Sequence, residues 1–219
     1  DLALGWVDSQ RTEEDTADMP PEMVRKGGLR WYKNREVTNY DMDSKDLMRA
    51  QSVDELRTLV TMAYAVSGRL LLANGFRNLT EEAIYALSRT YPQHSQKKSF
   101  RPVDAFLKKE YPQIYDYDVD EQWHQVIFYN GDRLHDQAIG VCFGQDRVSG
   151  GLGMEKDAAW YVYDFWNDQY IGRFEGTQTL KQRVRKGESR VLSIHKDLGI
   201  PQVLSTSRHI MQGLTELDS

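Results

Sequence analysis

Four polar side chains in the first third of the chain stand just after segments that read as short strands. Asp8 follows Leu2 to Val7, Asp41 and Asp43 follow Trp31 to Tyr40, and Asn74 follows Arg69 to Ala73. Carboxyls gathered at one end of a set of strands can move protons. Glycoside hydrolysis uses two of them, one donating to the leaving oxygen and one attacking or activating water. Asp41 and Asp43 also suit the orientation of hydroxyls or of nearby Arg and Lys side chains, and equally suit a loop Asx turn. Other chemistries find less support. The five histidines, His94, His124, His135, His195 and His209, show no metal-ligand spacing, so no metal is expected. Gly150-Gly151-Leu152-Gly153 lacks the Lys-Ser/Thr and helix of a phosphate loop, and no G-x-S-x-G elbow occurs. No cofactor pattern is present. Lys181, Arg183, Arg185 and Lys186 read as a solvated strand face and its turn, and Lys156-Asp157 as a turn.

The elements that must carry these residues are clearest between Tyr40 and Tyr91. Ser52-Val53-Asp54-Glu55 is a capping box that starts a helix. Leu56, Val60, Ala63 and Val66 share one helical face, and Ser67-Gly68 stops it. Arg69 to Ala73 is a short apolar run closed by Asn74-Gly75, a buried strand. Thr80 caps a second helix, Glu81 and Glu82 complement its dipole, and Leu79 and Ile84 are spaced as a hydrophobic staple. Upstream, Glu22 to Lys26 forms a helical turn ending at Gly27-Gly28, and Val37 is the best buried residue of the strand before Tyr40. Helix, strand, helix is the rhythm of an α/β barrel or a doubly wound sheet.

This stretch resembles the α-galactosidase-like (melibiase) glycoside hydrolases. Asp41-Met42-Asp43, Glu55-Leu56-Arg57-Thr58, Leu70-Leu71-Leu72 and Arg77-Asn78-Leu79-Thr80 follow that family's order and spacing over about a quarter of the chain. The usual Trp-Asn-Asp-Pro-Asp is replaced by Thr38-Asn39-Tyr40-Asp41-Met42-Asp43. The resemblance implies that the first 91 residues are the sixth, seventh and eighth units of a TIM barrel, whose active site lies at the carboxyl ends of its strands. It makes Asp8 the acid/base, though without the Arg that precedes the family's acid. Asp41, Asp43 and Asn74 become substrate-binding residues. The family's second carboxylate, an Asp after strand four in a Lys-x-Asp setting, has no counterpart here.

His94 to Ser99 is a polar linker, and beyond it the hydrophobic period falls to two. Trp123 to Tyr129 closes at Asn130-Gly131, a strong turn signal. Gln137 to Phe143, Ala159 to Trp166, Leu180 to Arg185 and Ser189 to Ile194 are further strands, with Gln202 to Ser205 and Ile210 to Gln212 closing the set. Such spacing reads as an antiparallel sandwich. Tyr161-Val162-Tyr163-Asp164-Phe165-Trp166 and the final His209 to Gly213 resemble the β-domain of the same hydrolases. Twelve Tyr and five Trp could line sugar sites but more often fill such cores, and Trp123, Trp160, Phe165 and Trp166 read as inner-face residues.

The expected fold class is therefore α/β plus all-β: a partial (β/α) barrel segment over residues 1–95 and an antiparallel β-sandwich over 96–219. A net charge of −5 argues against a nucleic-acid groove, and no apolar run approaches the ~20 residues of a membrane span. Cys142, the single cysteine, excludes an internal disulfide, reads as a buried strand residue, and leaves the compartment open. Secretion or a periplasmic location fits the resemblance. The chain starts at Asp1 and reads as a mature, trimmed or truncated product. The expectation is a glycoside hydrolase fragment acting on α-galactoside-like sugars and inactive alone. Its partners are carbohydrate and a second copy or a missing barrel half. The alternative is a non-catalytic carbohydrate-binding or interaction module.

Overall fold

The computed structural model describes residues 5–12, 15, 21–91, 98–107, 110–214 and 216–217. The first part alternates strands and helices: β1 (Ser9–Arg11), α1 (Pro21–Leu29), β2 (Asn39–Asp41), β3 (Ser44–Lys45), α2 (Val53–Val66), β4 (Leu71–Leu72) and α3 (Glu81–Ser88). β1 pairs parallel with β2, and β3 parallel with β4. The segment 39–45 thus lies between two parallel neighbours. α1 and α2 make the crossovers that parallel pairing requires.

α2 begins where its cap dictates. Ser52 Oγ accepts from the Glu55 N–H at 3.1 Å, and Glu55 Oε2 reaches back to the Gln51 N–H at 2.8 Å. Every residue from Leu59 to Val66 is buried, because α2 is enclosed on two sides. α1 is a full nine-residue helix that runs through Gly27 and Gly28 instead of ending there. A Cβ at Gly27 would meet Met42 Sδ at 2.6 Å, and one at Gly28 would meet Tyr115 Cε1 at 2.8 Å. These glycines serve close packing, which outweighs their helix-stopping tendency.

The second part holds β5 (Arg101–Pro102), β6 (Ile114–Asp120), β7 (Trp123–Tyr129), β8 (Gln137–Cys142), β9 (Ala159–Asp164), β10 (Gln169–Glu175), β11 (Thr179–Val184) and β12 (Ser189–Lys196). Six form an antiparallel sheet in the order β10-β9-β12-β7-β6-β5, and β8 pairs antiparallel with β11. Val126, Phe128, Val162, Trp160, Leu192 and Ile194 from the large sheet meet Ile139, Val141, Leu180 and Val184 from the β8–β11 pair in one apolar layer. This is the arrangement of a β-sandwich. The opposite face of the large sheet presents Tyr115, Ile127 and Val191 to α2, in a second core that joins both parts of the chain.

Several expectations are corrected. In the amino-terminal strand of Leu2 to Val7, residues 2–4 lie outside the described residues and 5–6 form a turn. Val37 is 55% exposed, because it precedes β2 in a loop. The strand of Arg69 to Ala73 shrinks to β4. Ile84 is 48% exposed, while Leu79 packs against the core. Within the linker, 94–97 lie outside the described residues, but Ser99 is buried and bonds to Asn34 and to the Ala65 carbonyl. Gln202 to Ser205 and Ile210 to Gln212 are irregular or turn segments. Phe165 and Trp166 face α2 instead of the inter-sheet layer that holds Trp160. Trp123 is half-buried and stacks on His195, with centroids 4.8 Å apart. Cys142 lies on β8 but is only partly buried.

Candidate functional site at the parallel strand ends

Parallel pairing aligns carboxyl ends within each pair, so the residues after β1 and β2 lie together, and so do those after β3 and β4. Arg11 ends β1 and stands opposite Asp41. Its Nη2 contacts Asp15 Oδ1 at 2.6 Å and Asp43 Oδ2 at 2.7 Å. One guanidinium nitrogen thus holds two carboxylates from two strand ends. Asp15 is 92% exposed, whereas Asp43 is 21% exposed.

Asp43 reaches Arg11 because of its backbone. It has φ 65, in the left-handed region that Asp tolerates better than most residues. Asp41 holds the kink, since its Oδ1 accepts the Asp43 N–H at 2.8 Å. This is the Asx turn, and Asp41 makes it. The Asp41 carbonyl also takes the Thr12 N–H at 3.0 Å, which extends the β1–β2 pairing towards the Asp15 loop.

Asn74 lies one strand further on. Its Nδ2 donates to Asp46 Oδ1 at 2.7 Å, and its Oδ1 accepts the Leu47 N–H at 2.8 Å. Asp46 also caps the short helical turn at Leu47–Arg49 through the Met48 N–H. Asn74 therefore fastens the end of β4 to the loop leaving β3, with donor and acceptor both engaged. Lys45, on β3 between these groups, is 1% exposed and donates to Met23 Sδ at 3.2 Å.

Asp8 is not part of this cluster. It precedes β1, and its carbonyl accepts the Asn39 N–H at 2.9 Å at the start of β2. It sits at the amino ends of the strands, because the strand begins at Ser9 and not before Asp8. The place expected for Asp8 is taken by Arg11, Thr12 and Asp15. The signal for Asp15 was the Arg11-to-Asp15 spacing, Arg followed four residues later by Asp, hidden in an acidic run.

A second polar cluster lies within the sandwich. His124 Nδ1 meets Asp116 Oδ1 at 2.8 Å, and Arg101 Nη2 meets Asp116 Oδ2 at 3.3 Å. Asp116 and His124 are almost fully buried, so this network satisfies groups that burial would otherwise strand. Among the described residues, no three His, Cys, Asp or Glu side chains are grouped to hold a metal ion.

No protein-family model and no curated protein sequence matches the chain. Solved structures do. α-Galactosidase I from Mortierella vinacea superimposes with a TM-score of 0.66 at 14% identity, over 88% of this chain and 54% of that one. The Saccharomyces cerevisiae α-galactosidase solved with raffinose gives 0.64 at 15% identity, over 88% and 60%. A GH27 β-L-arabinopyranosidase from Geobacillus stearothermophilus gives 0.66 at 14% identity, over 90% and 46%. The chain thus has an α-galactosidase-like glycoside hydrolase fold over nearly nine-tenths of its length. It spans about half the length of these similar structures.

Proposed function

We propose that this chain is the carboxyl-terminal portion of a glycoside hydrolase acting on α-galactoside-like substrates, with residues 1–95 continuing a (β/α) barrel and 96–219 its β-sandwich domain. The observation that carries the reading is Arg11 Nη2 between Asp15 and Asp43 at parallel strand ends. Asp15 is the exposed carboxyl at this end of β1, open to a sugar oxygen from solvent. Arg11 and Asp43 suit the grip on a neighbouring hydroxyl, while Asp41 holds the turn that carries Asp43 and Asn74 holds the loop after β3. Asp15, and not Asp8, takes the acid/base role, since Asp8 lies at the other end of β1.

The chain alone does not hydrolyse glycosides in this reading. Hydrolysis needs two carboxyls flanking the bond, about 5–5.5 Å apart for retention or about 6.5–9.5 Å for inversion. Asp15 and Asp43 are both engaged by one guanidinium nitrogen. That same observation favours the second reading, a non-catalytic carbohydrate-binding module. A missing barrel half, from a second copy or another chain, would supply the other carboxyl.

The test is release of nitrophenol from nitrophenyl α-galactoside, together with galactose binding followed by NMR. The expected result is no turnover and weak binding that Arg11→Ala removes. Turnover lost in Asp15→Asn would overturn the inactivity while keeping the role of Asp15. Turnover lost only in Asp8→Asn would return that role to Asp8. Galactose binding indifferent to Arg11→Ala would remove the site.

A further inference from the structure

We infer that the open face of β9 and β10 is a second carbohydrate-binding surface, taking the pyranose faces of a neutral glycan. It rests on this sheet face alone and not on the hydrolase reading. Tyr161 and Tyr163 alternate on β9 and point to the same side of the sheet. Register places Tyr170 opposite Tyr163, and Arg173 opposite Tyr161. The Tyr161 and Tyr170 rings are 6.4 Å apart between centroids, and Tyr170 is 50% exposed.

Exposed tyrosines are ordinary in strands, where they simply pack across the sheet. Here one hydroxyl is also held. Tyr163 donates to Asp168 Oδ1, and Asp168 is set by a left-handed backbone at φ 48. Asp197, beside Tyr161, takes Arg173 Nε at 2.9 Å and the Gly199 N–H at 2.9 Å. The acceptor carboxylates raise both phenols, Tyr163 to about 12, so the rings stay neutral donors. Tyr163, held by its hydroxyl, stands beside Tyr161, and Tyr170 across the strand pair is tilted by 48° to Tyr161, so the three rings form a shallow aromatic cradle ordered at little entropic cost. An apolar ring flanked by fixed polar groups is what a pyranose requires, with C–H groups on its face and hydroxyls at its rim.

Charge selects the ligand. Arg173 is engaged by Glu175 at 2.6 Å and by Asp197, and Asp168 adds a further negative charge. The local surplus is negative, which disfavours uronates and nucleic acids.

Native electrophoresis through gels carrying galactomannan, dextran, xylan or polygalacturonate tests the inference. Retardation by at least one neutral polymer and none by polygalacturonate is expected. The pair Tyr161→Ala with Tyr170→Ala should raise the dissociation constant about tenfold or more, a loss typical of stacked rings. The corresponding Phe pair keeps the stacking and should retain binding, which separates lost contact from lost fold. No retardation by any neutral polymer overturns the inference, as does retardation indifferent to the Ala pair or seen only with polygalacturonate.

Discussion

The indole nitrogen of Trp166 donates to Thr61 Oγ1 at 2.8 Å, joining the turn after β9 to the middle of α2. Both residues are buried, and Arg57 reinforces the joint. Its Nη1 donates to the Trp166 carbonyl at 3.1 Å, and its guanidinium lies 5.2 Å from the ring centroid. Trp166 therefore belongs to the seam between the helical layer and the sheet.

This seam should dominate stability. Trp166→Ala is expected to cost about 3–5 kcal/mol through the cavity it leaves. Thr61→Val keeps the volume but strands a buried N–H, at about 1–3 kcal/mol. Urea unfolding of both variants checks the order. Equal midpoints for Thr61→Val and wild type would show that the bond contributes nothing.

The shared core also bears on the proposed division at residues 95 and 96. Met62, Tyr64 and Phe100 pack in one cluster with Tyr117, Ile127 and Val191. Lys98, within the linker, pairs with Asp118 at 2.8 Å. A protease site inserted after Gln96 should therefore be cut without separating the halves, which should co-elute in native gel filtration. Separate elution would show that each half keeps its own core.

Local signals carried much of this into the sequence. The Ser52 cap and the strand over Trp123 to Tyr129 depend on neighbours in the chain, and the structure reproduces them; Asn130-Gly131 forms no turn, and the strand before it is buried on both faces instead of alternating. β6 was missed because Ile114-Tyr115-Asp116-Tyr117-Asp118 carries acids on one side of the strand. Those acids are satisfied only by distant partners: Asp116 by Arg101 and His124, Asp118 by Lys98 and Arg147. α1 was shortened because its glycines answer to Met42 and Tyr115, which no local pattern reveals. The site shows the same divide. Asp41, Asp43 and Asn74 stand at or just after strand ends as their spacing suggests, whereas the position of Asp15 beside Arg11 depends on where β1 lies.

His195 should make stability depend on pH. Burial against Trp123 pushes its imidazole down to about 4 from 6.5, outweighing the Leu204 backbone and Asp120. The unfolded chain therefore binds the proton more tightly. The stabilisation is fully present above pH 6.5 and is lost as pH falls through the window down to about 4, by roughly 3 kcal/mol in all. Urea midpoints at pH 7 and pH 5 should differ in wild type, and the difference should shrink in His195→Gln. An unchanged difference would assign the dependence to other groups.

The final prediction is self-association through the parallel edges. Among the described residues, β1 and β4 each pair on one side only, which leaves strand backbone open at both flanks of the parallel set. Apolar side chains gather there. Trp6 is 88% exposed and Val7 40% beside β1, while Leu71 is 38% and Phe76 71% exposed at β4. Open edges and exposed apolar side chains of this kind invite a partner chain. A two-fold axis along the strand direction would set β1 of one copy against β4 of the other, keeping the pairing parallel and closing both edges at once. Sedimentation over rising concentration should show a monomer–dimer equilibrium, and Phe76→Asp should shift it to monomer, since it places a charge in the contact. A strictly monomeric wild type at every concentration would remove the dimer. A dimer indifferent to both Phe76→Asp and Trp6→Asp would place the contact away from these edges.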